Sequence, residues 1–422
     1  MVSSVTGLTP PLAPPTFPWK RNIAVLWVAQ IVATLGFSFT FPFFPLFFRD
    51  LGIDDVENAA FWTGLSGWAL GLGMGLFSPF WGILGDRFGR RLNIVRAMAL
   101  GGVVLGLTGY AQNPEQLVFA RFLSGASSGV VMTIMALVAA HTPREHLPVA
   151  TGAIQSSLFL GSALGPLIGG IAFDAYGMQA AFWATGGALL TAAVMVALFV
   201  QEEFQRPEHT EGMRNPLADL WRLASSRTFS PLLLMLVIVF MGHLVMMPVL
   251  PGMAELVAGT VVSATQTSIL FMAIGIASAA SSVGMGWLAG RVDPKQVFVI
   301  GAALAGLTSL GPFFAGSMVA LTVTVAAASL FQGGLAGLTS GLIALRAPQR
   351  QHGAAFGAAQ ASQSLGVAFG PLLGGSVAVA LGLRAVFLVN VGLFGVAAIA
   401  AVVLLASTTD SRAAAEESQA AG

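Results

Sequence analysis

Twelve apolar runs, each long enough to cross a bilayer as a helix, constrain most strongly how this chain can fold. A spanning helix needs about 20 apolar residues. The 422-residue chain is 56% hydrophobic and only 9% charged, whereas about 25% of the residues in an ordinary soluble domain are charged. So much apolar surface cannot be hidden inside a soluble globule of this size. We therefore expect an all-α polytopic membrane protein.

The twelve runs form two groups of six, separated by a polar stretch. Breaks at glycine, proline and charged clusters predict the first six helices near 22–47, 60–84, 92–111, 115–139, 150–173 and 179–200. The same breaks predict the other six near 230–254, 264–289, 296–315, 318–344, 354–379 and 383–406. We therefore expect a disordered cytoplasmic tail (1–20), a six-helix bundle (21–200), a cytoplasmic linker (201–229), a second six-helix bundle (230–406) and a cytoplasmic tail (407–422).

Basic residues collect on one side of the predicted membrane. Sixteen of the nineteen lysines and arginines fall on the side of the N-terminus, Arg49 and Arg384 fall on the other side, and Arg121 lies within a span. Cytoplasmic loops carry the excess of basic residues in membrane proteins. We therefore predict a multi-pass protein of the cell (inner, cytoplasmic) membrane with both termini in the cytoplasm.

Composition excludes several classes of function. A formal net charge of +1 leaves no basic excess for a phosphate backbone, so we expect no nucleic-acid partner. The chain has no cysteine for thiolate chemistry, and neither Lys20 nor Lys295 follows a glycine as a Walker A lysine does. It also lacks the His-Glu-x-x-His pattern. No Gly-x-Ser-x-Gly elbow is expected, because such an elbow needs a strand before its helix. We expect neither an enzyme nor a metal site, and no cofactor.

An internal repeat relates the two groups of helices. The run Gly152-x8-Gly161-x3-Gly165-Pro166-x2-Gly169-Gly170 recurs 205 residues later as Gly357-x8-Gly366-x3-Gly370-Pro371-x2-Gly374-Gly375. At an offset of 206, the positions Gly36, Pro42 and Pro45 match Gly242, Pro248 and Pro251. Parallel repeats of this kind pack about an axis normal to the membrane, with the ligand site near the midplane between them. The sequence therefore predicts a duplicated bundle with a central site.

Small residues four apart form a stripe on predicted helices 5 and 11. The stripes consist of Ser157, Gly161, Gly165 and Gly169, and of Ser362, Gly366, Gly370 and Gly374. Such stripes let helix backbones approach closely in lipid, and each Gly-Pro pair permits a bend. Two interpretations stay open: tight packing between helices, or contacts along which the halves rock to open and close a path.

The loop after predicted helix 2 places charges in a glycine-rich frame, Gly82-Ile83-Leu84-Gly85-Asp86-Arg87-Phe88-Gly89-Arg90-Arg91. A carboxylate beside three arginines can form charge-assisted pairs that exist in one arrangement of the halves and break in the other. The second half keeps a weaker copy at 286–293, in which Gly290 replaces the acid. We expect the stronger lock in the first half, where it would hold the state closed to the cytoplasm. The alternative is that these arginines only fix the topology.

Taken together, these motifs resemble those of the major facilitator superfamily, specifically its twelve-helix drug:proton antiporter branch. The loop from Gly82 to Arg91 resembles the signature between helices 2 and 3, with Gly85 in place of the usual alanine. The run Arg121-Phe122-Leu123-Ser124-Gly125 resembles the helix 4 motif whose arginine the family associates with proton transfer, and 152–170 resembles the signature of exporters. The resemblance implies two pseudo-symmetric six-helix bundles, and we expect a monomer.

Three residues are candidates for proton coupling. Arg121 lies within a span, where a charge is costly, although an arginine that snorkels to the outer interface is the alternative. His243 lies fourteen residues into predicted helix 7, and an unperturbed histidine titrates near about pH 6.5; a packing histidine is the alternative. Glu255 occupies the repeat position of Arg49, so these two are candidates for an outer gate pair.

Phenylalanine and methionine side chains of predicted helices 1 and 7 would suit bulky apolar substrates, because these helices line the central cavity in the resembled family and methionine repacks around varied shapes. Glutamines inside the spans would add neutral hydrogen-bonding groups. The cavity candidates are Gln30, Phe37, Phe41, Gln155, His243, Met246, Met247, Gln332 and Gln363.

These observations predict a secondary active exporter of lipophilic small molecules, of the multidrug efflux type, that works by alternating access. The proton gradient would be its energy source, and its partners would be the substrate, protons and the lipid bilayer. Three alternatives remain: a lipid or lysolipid flippase of the same fold, an uptake symporter or uniporter for an uncharged solute, and a transport-inactive membrane receptor or scaffold.

Overall fold

The computed structural model describes residues 18–143, 146–202, 222, 225–226, 229–346 and 352–420, with some side chains within these ranges left out. Most of the predicted N-terminal tail (1–20) and of the predicted linker (201–229) lies outside the described residues.

The described part of the chain forms twelve helical segments and no strand. The first six are α1 (Trp19–Thr40, Phe41–Phe43 and Phe44–Asp50), α2 (Val56–Phe88), α3 (Arg90–Thr108), α4 (Pro114–Ala126 and Val130–His141), and α5 and α6, the two arms of Leu147–Phe199. The second six are α7 (Ser230–Val245, Met247–Val249 and Leu250–Ala258), α8 (Ala264–Ala289), α9 (Pro294–Thr308), α10 (Met318–Arg346), α11 (His352–Leu381) and α12 (Ala385–Ala420). This is the predicted all-α architecture.

Ten helices among the described residues are long and apolar enough to span a membrane. One of these, Ala150–Phe199, has 50 residues and contains both α5 and α6. The two arms meet at Gly177, whose φ of 80° and ψ of 172° break the helix; a side chain would disfavour this backbone conformation. The remaining segment, α2, has 33 residues. Together these account for the twelve predicted spans.

Side-chain caps explain why several helices begin where they do. The Ser263 side chain accepts from the Gln266 backbone and Gln266 reciprocates, a capping box that starts α8 at the predicted residue. Asp55 and Asn113 cap α2 and α4 in the same way, each accepting from a backbone N–H three residues on.

Helices α1 and α7 are interrupted at the same repeat position. A short 3-10 turn spans Phe41–Phe43 in α1, and another spans Met247–Val249 in α7. Each turn contains one of the repeat-related prolines, Pro42 or Pro248, and proline cannot donate the backbone hydrogen bond that a continuous helix needs. The predicted helices 1 and 7 are therefore each divided, and the duplication extends to the position of the break.

Helix α4 is broken where the sequence predicts one uninterrupted helix, so that prediction was wrong. Gly129 adopts a φ of 117°, and the carbonyls before it are released from the helix ladder. The Arg96 guanidinium donates to the Ser127 carbonyl at 2.9 Å, and the Trp81 indole donates to the Ala126 carbonyl at 2.5 Å. Side chains of α2 and α3 thus satisfy the acceptors that the break exposes.

The small-residue stripes pack within each half. Stripe residues of α5 lie against Thr34, Leu35, Ser38 and Phe39 of α1, the contacts being made by Gly161, Gly165 and Gly169. Stripe residues of α11 lie against Phe240, Met241 and Val245 of α7, the contacts being made by Gly366, Gly370 and Gly374. These positions leave no room for a β-carbon, which fits the tight-packing interpretation. In this structure, the stripes therefore make contacts within each half and not between the halves.

Helix α12 continues to Ala420, beyond the end predicted near residue 406. Five of the sixteen residues of the predicted C-terminal tail are alanine, the residue that favours helix most. Polarity marks where the apolar span ends, but it does not end the helix.

Candidate functional site

Two long seams join the two halves, and α2 and α11 form the first. Gly64 and Gly67 of α2 lie against Pro371 of α11, and Gly71 lies against Ala368. An added β-carbon at any of these glycines would collide with the facing helix. Small residues therefore let the two backbones touch across the interface between the halves.

The second seam joins α5 and α8 by the same principle. Gly170 of α5 lies against Ala264 and Ser268 of α8. Further along, Gly275 of α8 lies against Ser162 and Ala163 of α5. The seam residues of α5 and α11 are neighbours of the stripe residues, on an adjacent helix face.

Both seams are closed only part of the way through the molecule. We call the face on which α1 begins at Trp19 the terminal face, and the face on which α1 ends at Asp50 the far face. The seam faces of α2, α5 and α8 continue towards the terminal face. Two or three helical turns beyond the last seam contacts, these faces carry Gly82, Gly152 and Gly286. No described atom lies within 4 Å of an added β-carbon at these three positions. The halves therefore diverge towards the terminal face and leave a cleft between them.

An ion pair closes the far face. The Arg49 Nη1 donates to both carboxylate oxygens of Glu255, at 2.7 and 2.8 Å. Arg49 lies near the end of α1 and Glu255 near the end of α7, 206 residues apart at equivalent repeat positions. The two side chains retain only 29% and 14% of their exposure, so the pair is partly shielded from water. Equivalent ends of the two halves are thus joined by opposite charges.

A second polar contact closes the far face beside the α5–α8 seam. The Asp174 carboxylate, near the end of α5, accepts from the backbone N–H groups of Ala264 and Thr265 at 3.1 and 2.9 Å. It also accepts from the Thr265 hydroxyl at 2.6 Å. These N–H groups form the first turn of α8, where the helix dipole favours an anion. A carboxylate of the first half therefore caps a helix of the second half.

Glutamine side chains lie along the open part of the cleft. Gln155 is exposed and lies seven residues before Ser162 on the seam face of α5. Gln360 is half-buried and lies four residues before Ser364 on the seam face of α11. The predicted cavity residue Gln363 is also half-buried on α11. Neutral hydrogen-bonding groups thus face the cleft from both halves.

Several other predicted cavity residues do not lie in the cleft. Met246 and Met247 are buried in a hydrophobic cluster that also includes Ala60 of α2, so they do not line the open cleft in this structure. Gln30 is 2% exposed and donates to the Thr34 hydroxyl within α1. Phe37 is half-buried, and the Phe41 side chain lies outside the described residues. Helical periodicity identifies these residues as apolar or polar but does not give the rotation of the helix.

His243 and Gln332 meet inside the second half. Gln332 is 1% exposed, so it does not line the cleft as predicted, and its side-chain amide donates to the Ser309 hydroxyl at 3.1 Å. His243 lies beside Gln332 and is partly exposed, although its Nδ1 is wholly buried. The sequence placed both residues in one cavity, and the structure places both in one polar cluster.

Arg121 is buried within the first half. Its side chain is 2% exposed, and the guanidinium lies over the Phe44 ring of α1, 4.4 Å from the ring centroid. A snorkelling arginine would extend to the interface, so this alternative does not describe its position. A buried cation that stacks on an aromatic face is instead part of the core between α1 and α4.

The charged loop after α2 is bound to its own half. Gly89, with a φ of 104°, separates α2 from α3. The Arg90 guanidinium donates to the Ala136 carbonyl of α4 at 2.8 Å, and the Arg91 guanidinium donates to the Ala197 carbonyl of α6. Arg87 is exposed, and the Asp86 side chain lies outside the described residues. In this arrangement, Arg90 and Arg91 hold the first half together while the terminal face is open.

Two carboxylates with structural roles were not singled out from the sequence. Asp174 caps α8 as described above. Glu202, just after α6, accepts from the backbone N–H groups of Arg90 and Arg91 at 2.9 and 2.8 Å and so caps α3. The sequence signal was an acid next to a span, but the helix that each acid caps lies about 90 or 110 residues away.

Comparisons with known proteins agree with this architecture. The family model of the Major Facilitator Superfamily matches residues 26–262 and 232–421. The chain is 30% identical over 379 residues to the multidrug resistance protein MdtG of Serratia proteamaculans, covering 90% of this chain and 92% of the relative. It is 29% identical over 382 residues to MdtG of a Rahnella strain, covering 90% and 92% of the two chains.

Solved structures resemble the chain in fold. The bacterial homolog of the human lysosomal transporter Spinster, in an inward-facing and unoccupied conformation, superposes with a TM-score of 0.76 at 15% identity, covering 93% of this chain and 98% of the other. The human organic anion transporter MFSD10 superposes with a TM-score of 0.69 at 20% identity, covering 91% and 99%.

Proposed function

The chain belongs to the Major Facilitator Superfamily, and we propose that it is a secondary active exporter of lipophilic small molecules, driven by inward proton flow and working by alternating access. The observation that carries the proposal is the cleft between the two repeats. It is open towards the terminal face and closed at the far face by contacts between the halves.

The direction of opening follows from the distribution of charge. Most lysines and arginines belong to the terminal face, and the positive-inside rule assigns that face to the cytoplasm. The cleft would then collect its substrate from the cytoplasm or the inner leaflet. An exporter must begin its cycle in such a state.

The lining of the cleft supports an uncharged or lipophilic substrate. Gln155 and Gln360 offer neutral hydrogen bonds on the seam faces, whereas a site for a phosphate ester or a sugar acid would be expected to present several basic groups. The relatives named as multidrug resistance proteins extend this support to drug-like compounds.

Alternating access would require the two halves to rock against each other, pivoting near the midpoints of the two seams. Opening the far face must break the Arg49–Glu255 pair and remove Asp174 from the first turn of α8. Closing the terminal face would bring the charged loop, with Asp86 and Arg87, towards the second half. The weaker copy of this loop in the second half lacks the acid, so one lock would serve the terminal face.

Transport by the purified protein in proteoliposomes tests the proposal. A pH gradient of either sign is imposed, and a lipophilic cation dye and a fluorescent lysolipid are followed separately. We expect dye movement whose direction reverses with the gradient. Dye movement that ignores the gradient would contradict proton antiport, and movement of the lysolipid alone would identify a flippase.

The matched control is a pair of variants at the charged loop and away from it. Asp86→Asn removes the proposed lock and should slow transport, whereas Glu115→Gln removes an exposed carboxylate at the far face and should leave the rate unchanged. Equal rates in both variants would show that the loop does not take part in the cycle.

A further inference from the structure

A buried polar cluster lies inside the second half. Ser309, at the end of α9, accepts from the side-chain amides of Gln332 on α10 and Asn390 on α12, at 3.1 and 3.4 Å. The ring of His243 on α7 lies beside Gln332, and Asn390 Oδ1 lies next to Gly242. We call these four residues, His243, Ser309, Gln332 and Asn390, the α7 polar cluster.

The α7 polar cluster has more acceptors than donors. Both amide nitrogens are directed to Ser309, whose hydroxyl donates to the Ala305 carbonyl at 2.7 Å. Gln332 Oε1 and Asn390 Oδ1 are then buried without a hydrogen-bond donor among the described residues, and His243 Nδ1 is buried without a partner there as well. A buried acceptor left unsatisfied costs about 1–3 kcal/mol, so a donor or cation at this point would be stabilised.

His243 is the group that can supply the missing donor. A neutral imidazole has one N–H, and the protonated ring has two. The ring is partly exposed, its Nδ1 is buried, and it lies beside Gln332, so it connects the accessible side of α7 to the buried cluster. A proton can therefore reach the ring from the accessible side while the amide oxygens accept from the ring on the other.

No fixed charge competes for this role in the described helices around His243. The titratable residues of the surrounding helices lie towards their ends: Lys295 on α9, Arg346 on α10, His352 on α11, Asp410, Arg412, Glu416 and Glu417 on α12, and Glu255 on α7 itself. Glu255 is paired with Arg49.

We propose that the α7 polar cluster is the proton-binding site that drives transport, with His243 carrying the proton and Gln332 Oε1 accepting from its Nδ1–H. The proposal rests on the proton antiport proposed above and names the group that performs it. Its repeat counterpart in the first half is Phe37. The second half therefore carries the proton, and the first half contributes an apolar side chain at the equivalent position.

Histidine ring signals of the full chain in lipid nanodiscs test the proposal directly. The chain has five histidines, and His243→Asn identifies the signal of His243. As the pH is lowered from about 8 to 5, we expect this signal to change from that of the neutral ring to that of the protonated ring. Gln332→Met, which keeps the size of the side chain and removes the acceptor, should lower the proton affinity of His243 by about tenfold or more, as the loss of one hydrogen bond to a charged group implies. Gln360→Met, outside the cluster, should leave it unchanged.

A ring that stays neutral throughout that pH range, or a proton affinity that is equal in wild type and Gln332→Met, would overturn the proposal. Transport measurements distinguish failure of the His243 assignment from failure of proton antiport. The His243→Asn variant should still exchange dye at equal pH and lose movement driven by a pH gradient. If wild type responds to the gradient and His243→Asn responds equally, only the assignment of the proton to His243 fails. If wild type does not respond, antiport fails as well.

Discussion

Replacing Glu255 by glutamine should weaken the closed far face. The variant keeps the size of the side chain and removes the charge that accepts both hydrogen bonds from Arg49 Nη1. A hydrogen bond to a charged group contributes about 1.5–3 kcal/mol, and a fully exposed ion pair contributes about 0.2–1 kcal/mol. The side chains here are 29% and 14% exposed, between these limits, and we expect a loss of about 1–2 kcal/mol. This corresponds to a change of about 5–30-fold in the ratio of far-face-open to far-face-closed molecules.

Distances between spin labels on the two halves measure this ratio. The natural chain has no cysteine, so cysteines introduced at Asp54 and Val261 label one exposed far-face position in each half. A second pair at Leu92 and Gln296 labels the terminal side. In Glu255→Gln we expect the population with long far-face distances to grow and the terminal-side distances to shorten in the same molecules.

Two controls decide whether the ion pair is the cause. Glu115→Gln removes an exposed far-face carboxylate outside the seams and should not change the distances. The exchange Arg49→Glu with Glu255→Arg should restore most of the closed population, because the pair is rebuilt in reverse. Unchanged distances in Glu255→Gln, or an equal change in Glu115→Gln, would refute the assignment of Arg49 and Glu255 as a far-face gate.

Three further predictions concern the contacts around the cleft. Asp174→Asn should increase the far-face-open population less than Glu255→Gln does, since a carboxylate at a helix N-terminus contributes about 0.3–1 kcal/mol. The same spin-label distances measure this population. Gly366→Ala should cost about 1–3 kcal/mol of stability by overpacking against Phe240, whereas Gly284→Ala, with nothing within 4 Å, should not destabilise; a lower melting temperature for Gly284→Ala would contradict this. Arg121→Lys should lose about 0.5–2 kcal/mol of stacking on Phe44, and an unchanged melting temperature and transport rate would show that the planar guanidinium is not needed.

Local signals in the sequence predicted the elements well. Helix α8 begins and ends where predicted because a capping box starts it and glycine follows it. The repeat-related prolines showed that α1 and α7 are equivalent, although each was predicted as one continuous helix and is broken at its proline. The α4 break at Gly129 was missed, because a single glycine in an apolar run also fits an unbroken helix and the side chains that satisfy its carbonyls come from α2 and α3.

The site was predicted less completely because it depends on how helices rotate and pair. Met246 and Gln332 are correctly placed on helices of the second half, yet both are buried away from the cleft. The repeat offset alone predicts Arg49 and Glu255 as partners, since equivalent helix ends meet near a pseudo-two-fold axis. Nothing local distinguished Asp174 or Glu202, because each acts on the first turn of a helix distant in sequence.

Proton movement driven by substrate tests the central claim most directly. Proteoliposomes are prepared with the same pH on both sides and a weakly buffered lumen that contains a pH-sensitive dye, and a gradient of lipophilic cation is then imposed. We predict that the lumen acidifies as the cation leaves and becomes alkaline when the cation gradient is reversed. Cation flux through the protein with no change of luminal pH in either direction would contradict proton antiport.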